Sequence, residues 1–170
     1  LTAAKILNTW GEEEIADLIF RFGEERFSRR IAKNLTLARR KNPLRTTGQL
    51  VAIIEQSVPF WYRRRKIHPA TKTFQALRIA VNDEIEALKE GLEKALEHIQ
   101  EAGRIAVISF HSLEDRIVKH FFRDSMREGR GSVITKRPIT PSQEEIESNP
   151  RARSATLRIF EKGHATQPSV

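Results

Sequence analysis

The sequence contains no cysteine, which excludes disulfide bonds, thiolate nucleophiles and thiolate metal sites. It also has no apolar run long enough to span a bilayer, and its first residues lack the pattern of a secretory signal peptide. These absences favour a cytoplasmic protein with no membrane partner. The chain begins at Leu1 and not at a methionine, which processing, trimming or a missing amino-terminal half would each explain.

Acidic residues are nearly absent from one stretch of the chain. Between Arg26 and Arg78 there are fourteen Lys and Arg residues and a single acid, Glu55. The flanking residues 1–25 and 79–102 each hold more acids than bases. A block of one charge sign between acidic flanks is typical of a surface that contacts a polyphosphate, so nucleic acid is the predicted partner. The alternative is a solvated helical surface without a partner.

The remaining composition is that of an ordinary folded protein. The 170 residues are 39% hydrophobic and 31% charged, which argues against wholesale disorder. This length allows one domain, or a small domain together with part of another.

Hydrophobic periodicity predicts helices through the first hundred residues. Apolar residues recur at helical spacing in 12–22, 24–40, 46–56 and a long stripe over 74–99. The face of 24–40 opposite its apolar residues carries six cations, Arg39 among them. We expect Gly23 to end one helix, Thr46 or Thr47 to cap the helix that follows at 46–56, and Pro69 to begin another.

The segment Phe60–His68 has no clear period. It begins with aromatic residues and continues with four cations in a row. This composition predicts a loop that stacks on bases and neutralises phosphates. Charge and aromatic content together predict ten RNA contacts: Arg29, Arg30, Lys33, Trp61, Arg63, Arg64, Arg65, Lys66, His68 and Lys72.

The sequence pattern changes at Gly103. A short continuous apolar run predicts a first strand over 104–110, of the kind buried on both faces of a parallel sheet. Ser112, with Asp115 three residues later, is expected to cap a helix that reaches about Met126. Further strands are predicted at 132–137 and 155–161.

This order of elements predicts an α/β fold in three parts. A mostly helical region occupies residues 1–100, the carboxy-terminal part of an incomplete sheet occupies 101–162, and a flexible tail follows over 163–170.

Four segments carry motifs that are long enough to compare with known families. They are LTAA at 1–4, running on to GEERF at 23–27; HPATKTFQALRIAVNDE at 68–84; ISFHSLEDR at 108–116; and KRPITP at 136–141 with NPRARS at 149–154. In content and order they resemble the RsmH/MraW family of methyltransferases that act on small-subunit ribosomal RNA. The resemblance spans nearly the whole chain, and its second and third segments are the most specific.

The resemblance implies a Rossmann-like methyltransferase with a helical insertion domain for substrate recognition. It implies N(4)-methylation of a cytidine in small-subunit ribosomal RNA, with S-adenosylmethionine as the methyl donor and that RNA, or the small ribosomal subunit, as the partner. The family's glycine-rich loop and acidic ribose-binding position lie upstream of the segment that matches Leu1. Neither Gly103 nor Gly129-Arg130-Gly131 replaces them, because neither opens a helix after a strand. We therefore assign no cofactor residue and expect this chain alone to be inactive.

Three consecutive residues at the carboxyl end of the predicted strand are candidates for the catalytic site. They are Phe110, His111 and Ser112. Sites in open α/β sheets gather at the carboxyl ends of strands. Methylation of the cytosine amine requires an unstacked, aligned base, on which Phe110 could stack. His111 could accept a hydrogen bond or a proton. The simpler alternatives are a helix cap for Ser112 and a hydrogen bond from His111 to a neighbouring backbone carbonyl.

Two polar residues interrupt the apolar stripe of 74–99. Arg78 and Asn82 lie one helical turn apart, so they either face a pocket or form a structural polar pair. The chain also has scattered histidines, and His98, His120 and His164 show no metal-ligand spacing, so no metal site is predicted.

Two further functions remain as alternatives to part of an enzyme. One is a non-catalytic basic RNA-binding helical module, and the other is a structural protein whose basic face docks on an acidic partner. The partial sheet after Gly103 favours the enzyme, because a pure binding module does not need it.

Overall fold

The computed structural model describes residues 1–163 and divides the chain into two compact units, Leu1–Glu84 and Ile85–Val170. This division falls earlier than the boundary predicted near residue 100. Most of the predicted tail, with His164, lies outside the described residues, although Gly163 donates its N–H to the Arg130 carbonyl over 2.9 Å. Within residues 1–163 there is no helix of the length and apolarity needed to cross a membrane.

The described part of the first unit is built from helices. They are α1 (Ala3–Thr9), α2 (Glu12–Gly23), α3 (Ser28–Lys41), α4 (Thr47–Ser57), α5 (Phe60–Arg63) and α6 (Thr71–Asn82). The apolar faces predicted from periodicity form its core, in which Ile15, Ile31 and Ile54 are fully buried. The predicted cap at Thr46 is confirmed, because its side chain accepts a hydrogen bond from the Gln49 N–H.

Helices α2 and α6 approach each other closely at Gly23. A Cβ on this residue would lie 2.5 Å from the Lys72 carbonyl oxygen. The left-handed residue that ends α2 is Glu24, with φ 51°. Gly23 is therefore the last helical residue, required by close packing, and the prediction that α3 starts at residue 24 is wrong because Ser28 begins it.

Two predictions about the next segments need correction. The predicted loop 60–68 contains the short helix α5, and Pro69 lies in the turn before α6 instead of opening it. The single helix expected through 74–99 is broken at Asp83, which has φ 53°. The apolar stripe continues across the break, but its first half packs in the first unit and its second half in the second unit.

The second unit packs helices on a small sheet. Its elements are α7 (Glu84–His98), which starts on the last residue of the first unit, then β1 (Arg104–Ser109), α8 (Ser112–Arg127), β2 (Gly131–Val133), α9 (Gln143–Ser148), a 3₁₀ turn (Pro150–Ser154) and β3 (Thr156–Lys162). The apolar side of α7 joins the sheet core through Leu92 and Leu96, which is why the division precedes this helix. In the same core Phe122 stacks on Phe160 with ring centroids 5.3 Å apart.

The sheet has the order β1-β3-β2, and β3 runs antiparallel to both neighbours. The first strand is confirmed in position, but it is not buried on both faces. Ile105 is buried, whereas Ile108, which points to the other face, is 59% exposed. The second strand is shorter than predicted, and α9 and the 3₁₀ turn occupy the segment between β2 and β3.

Candidate functional site

A buried carboxylate anchors the segment between α4 and α6. Tyr62 is only 4% exposed, and its hydroxyl donates a 2.5 Å hydrogen bond to Oε2 of the fully buried Glu25. The Phe27 N–H donates to Oε1 of the same carboxylate over 2.8 Å. Burial and the hydrogen bond to Glu25 raise the pKa of Tyr62 to about 12. The neutral phenol therefore ties α5 to the turn before α3.

Trp61 lies on the outside of this anchor and is 51% exposed. The edges of Phe27 and Tyr62 support its ring, with centroids 6.3 and 5.6 Å away. The Arg26 guanidinium lies 4.6 Å from the indole centroid, and that of Arg65 lies 5.7 Å away. The indole is thus held in place by neighbouring rings and cations while half of its surface remains available for stacking.

The cations that follow Trp61 are exposed. Arg63 donates to the Val58 carbonyl over 3.4 Å, and the Arg64 guanidinium lies 4.4 Å from the Phe60 ring centroid. On α3, three more predicted RNA contacts, Arg29, Arg30 and Lys33, are also exposed. Within the described residues, neither Arg63–Lys66 nor these α3 cations form an ion pair with a carboxylate. We call these seven cations with Trp61 the aromatic–cationic surface.

Two other predicted RNA contacts already have structural partners. The Lys72 ammonium donates to the Glu24 carbonyl over 2.8 Å, which caps the end of α2. His68 accepts from the Ala70 N–H through Nδ1 over 3.2 Å, and its Nε2 lies 3.4 Å from Oε1 of Glu55. Both side chains therefore help to hold the start of α6.

Arg39 has a role that the sequence did not predict. Its guanidinium donates to the carbonyls of Leu7 and Trp10 over 2.8 and 2.5 Å, at the carboxyl end of α1. The helical wheel had placed it with the outward cations of α3. A residue that spans to another helix leaves no signal in the periodicity of its own helix.

The sequence also missed a cavity of about 300 Å³ between α5 and the start of α6. Its lining consists of Tyr62, Arg65, Lys66, Ile67, His68, Pro69 and Lys72. None of the acidic side chains that the structure describes lines it, and we call it the basic cavity.

Arg78 and Asn82 line a second, mainly apolar cavity of about 460 Å³ next to α1 and α4. They also share a partner. The Arg78 guanidinium binds both carboxylate oxygens of Glu84 over 2.8 and 3.0 Å, and the Asn82 amide donates to one of them over 3.2 Å. Arg78 and Asn82 therefore line a cavity and also take part in a structural polar interaction, so the two alternatives from the sequence do not exclude each other.

In the second unit, the residue that caps α8 is His111 and not Ser112. Its Nδ1 accepts from the Glu114 N–H over 3.2 Å, while Ser112 is the first helical residue. Glu114 in return accepts from the Phe110 N–H over 3.0 Å. The His111 Nε2 lies 3.3 Å from Oε1 of Glu114, outside hydrogen-bond geometry, and this proximity lowers the pKa of Glu114 from its ordinary value. The Phe110 ring is 54% exposed.

Asp115, expected to complete the cap with Ser112, has a different partner. Its carboxylate accepts from Nε and Nη2 of Arg158 over 2.7 and 2.9 Å, and from the Thr156 hydroxyl over 3.2 Å. The Arg158 hydrogen bonds hold the pKa of Asp115 below its ordinary value. This buried interaction fixes the start of α8 to β3, next to Phe110 and His111.

The remaining histidines within the described residues make local contacts. His98 Nδ1 lies 2.8 Å from the Lys94 carbonyl oxygen, one turn earlier in α7. His120 Nδ1 lies 3.1 Å from Nη2 of Arg123 in α8. Both contacts are those of exposed helix side chains.

Comparison with known proteins gives consistent matches. The model of the MraW methylase family matches residues 1–163. The chain is 48% identical to ribosomal RNA small subunit methyltransferase H of Brevibacillus brevis, over 95% of this chain and 56% of that protein. It is 54% identical to the protein of the same name from Nostoc punctiforme, over 95% and 52%, and 49% identical to that of Coprothermobacter proteolyticus, over 96% and 54%. The chain thus spans about half the length of these curated relatives.

Proposed function

The chain belongs to the MraW methylase family, and from this membership we propose that it is part of an S-adenosylmethionine-dependent methyltransferase that N(4)-methylates a cytidine in small-subunit ribosomal RNA. It supplies RNA-binding and substrate-side elements and transfers no methyl group by itself. The first unit is the helical insertion domain, and the second is the carboxy-terminal part of a Rossmann-like domain. The enzyme acts in the cytoplasm, on the small ribosomal subunit or its RNA.

The topology of the second unit supports the Rossmann-like assignment. Because β1 and β2 are both antiparallel to β3, they run parallel to each other, and α8 connects them in the manner of a βαβ unit. Ile108 and Ile139 are exposed apolar residues beside the same residue of β3, Leu157. A sheet with helices on both faces would bury such residues.

The observation that carries the RNA-binding proposal is the aromatic–cationic surface. Among the described residues its cations have no carboxylate partners, so a polyphosphate would meet their full charge and release its own counterions. Trp61 adds a half-exposed ring whose orientation is fixed by its neighbours. Charge and a stacking platform together are what binding of unpaired RNA requires.

The test is the salt dependence of binding to single-stranded RNA. If Arg63, Arg64 and Arg65 each neutralise a phosphate, their joint replacement by alanine lowers the slope of log affinity against log salt by about two units. The matched control removes three exposed arginines of the second unit, Arg137, Arg151 and Arg153, and should leave the slope unchanged. If the parent and the Arg63–Arg65 variant have equal slopes of log affinity against log salt, these arginines do not contact RNA phosphates.

Trp61→Ala separates stacking from charge. The loss of a base-stacking ring weakens binding by about 1–3 kcal/mol while the salt slope stays near the parent value. A variant that binds RNA like the parent would mean that the indole packs only against its protein neighbours.

The cofactor fit of the described residues is poor. β1 leads into α8 through Phe110 and His111, with no glycine that would let a nucleotide approach the backbone. We therefore derive no step through S-adenosylmethionine and expect calorimetric titration of this chain to give no saturable binding at micromolar concentration. Saturable binding would overturn the proposal that the chain is inactive alone.

Phe110 is the best supported of the three substrate-side candidates. Its ring is exposed, and the hydrogen bond from its backbone N–H to the Glu114 carboxylate fixes its backbone. Because Nδ1 of His111 accepts the cap hydrogen bond, the neutral imidazole carries its proton on Nε2, which makes it a donor and not an acceptor. Ser112 is exposed at the start of α8, beside both.

A further inference from the structure

The basic cavity has the size and lining of a site for a small anion. Its volume of about 300 Å³ is at the lower end of ligand pockets, which suits a phosphate with its sugar and excludes a duplex. Arg65, Lys66 and Lys72 contribute positive charge, and Ile67 and Pro69 contribute apolar wall. An ordinary solvated charge run does not enclose a cavity with several cations and a partly apolar wall.

Two of its cations are held in position before any ligand arrives. The Lys72 ammonium uses one of its three donors on the Glu24 carbonyl, at 2.8 Å, and keeps the others. The Arg65 guanidinium lies 5.1 Å from the centroid of the buried Tyr62 ring. Stacking leaves the N–H groups at the edge of the guanidinium available, and no carboxylate pairs with them within the described residues. Little side-chain entropy is then lost when an anion binds.

The cavity also adjoins the stacking platform. Tyr62 lines the cavity and contacts Trp61 edge to face, with centroids 5.6 Å apart. Arg65 lines the cavity and lies over both rings. A strand that stacks one base on Trp61 therefore has an adjacent phosphate within reach of the cavity.

We propose that the basic cavity binds one phosphodiester group of single-stranded RNA, with Arg65, Lys66 and Lys72 as donors, while a neighbouring base stacks on Trp61. This inference rests on the proposed RNA-binding function and adds a fixed register to it. The other cations of the aromatic–cationic surface attract the backbone anywhere along its length, whereas the cavity holds one phosphate at one place.

The first experiment titrates the chain with a nucleoside 5′-monophosphate, the matching nucleoside and inorganic phosphate, and follows backbone amide signals by nuclear magnetic resonance. The monophosphate should shift the amides of residues 65–68 and 70–72 saturably, and inorganic phosphate should shift them more weakly. The nucleoside without phosphate should leave them in place. Equal shifts from nucleoside and monophosphate, or from inorganic phosphate and monophosphate, would overturn the proposal.

A matched pair of lysine variants tests the donors. Lys66→Ala should weaken monophosphate binding about tenfold, as expected for loss of a charge-assisted hydrogen bond. Lys41→Ala removes the same charge from an exposed lysine of α3 outside the cavity and should leave the affinity unchanged. Equal losses in the two variants would show general attraction instead of a site.

Lys72→Met provides a second test of the donors. It should weaken monophosphate binding, and its circular dichroism shows whether the first unit still folds without the bond to Glu24. A folded Lys72→Met chain with parental affinity for the monophosphate would contradict the inference.

The two proposals fail in different ways. In one outcome, single-stranded RNA binds with a salt slope that depends on Arg63–Arg65 while the monophosphate does not shift the amides of the basic cavity. In that case the phosphodiester site in the basic cavity is wrong, and the RNA-binding function stands. If single-stranded RNA does not bind at all, the proposed function itself fails.

Discussion

The two units differ in the partners of their positively charged side chains. In the second unit arginines pair with carboxylates: Arg104 with Glu161 at 2.7 Å, Arg130 with Glu93 at 2.9 Å and Arg158 with Asp115 at 2.7 Å. In the first unit the cations of the aromatic–cationic surface have no such partner among the described residues. The sequence explains the difference, because acids are nearly absent between Arg26 and Arg78.

Arg78 of the first unit pairs with Glu84, but two other cations that hold this unit together have neutral partners. Arg39 and Lys72 bind carbonyl oxygens and not carboxylates. A carbonyl satisfies a donor without cancelling its charge, so these residues still add to the local positive potential. The second unit pairs three arginines with its own carboxylates, whereas the cations of the aromatic–cationic surface have no carboxylate partner among the described residues.

The largest expected effect comes from the ion pair between the buried Arg158 and the partly buried Asp115 of the second unit. Asp115→Asn leaves Arg158 buried without a charged partner and should lower the free energy of unfolding by about 3 kcal/mol at neutral pH, measured by urea denaturation. Asp124→Asn, which removes an exposed partner of Arg127 3.4 Å away, is the control and should cost less than about 1 kcal/mol.

The same pair has a defined pH dependence. The pKa of Asp115 is below its ordinary 3.8 in the folded chain, so its contribution is present above that value and is lost as the pH falls through the lowered pKa. Asp115→Asn should therefore flatten the acid limb of the stability curve. Parallel acid limbs for parent and variant would contradict this role.

The next effect concerns the uncharged anchor of the first unit. Tyr62→Phe removes the hydroxyl bond to buried Glu25 and should cost about 1–3 kcal/mol. Because Tyr62 is the one tyrosine in the sequence, phenolate absorbance reports it alone, with an expected midpoint at about 12. The stabilisation is present below the ordinary pKa of 10.0 and is lost as the pH rises to about 12. A midpoint near 10 in a chain still folded by circular dichroism would exclude the anchor.

The smallest expected effect is the change in unfolding free energy when the unpaired cations of α3 are replaced. Joint replacement of Arg29, Arg30 and Lys33 by alanine should change the unfolding free energy by less than about 0.5 kcal/mol per residue, because these exposed side chains form no ion pair with the described residues. The salt slope of RNA binding should still fall by about two units. If the triple variant is markedly destabilised and its salt slope of RNA binding is unchanged, these cations stabilise the first unit and do not contact RNA. That result would contradict the comparison between the two units.

The sequence predicted features that depend on neighbouring residues. The helix starting at Glu12, the cap at Thr46 and the first strand at residue 104 follow from periodicity, cap chemistry and a change of period, all of which are local. The seven exposed cations of the aromatic–cationic surface were also identified, because a one-sided charge run is visible without a fold.

Features that depend on distant residues were not predicted. The apolar stripe continues across Asp83, so hydrophobic periodicity alone does not mark the break between α6 and α7. Ser112 is a good capping residue, but the pairing of Asp115 with Arg158, 43 residues away, leaves His111 to cap α8. The basic cavity was missed for the same reason, since its walls come from a turn whose shape depends on the buried Tyr62–Glu25 bond.

The contact between Gly23 and Lys72 has a kinetic consequence. The adjoining bond from Lys72 to the Glu24 carbonyl joins residues 48 positions apart, with α3, α4 and α5 inside the loop. Single helices form within about a microsecond, whereas closure of a long loop costs entropy before its contacts are gained. We therefore expect the docking of α2 on α6 to limit the folding rate of the first unit, so that a side chain at position 23 slows its refolding more than it speeds its unfolding.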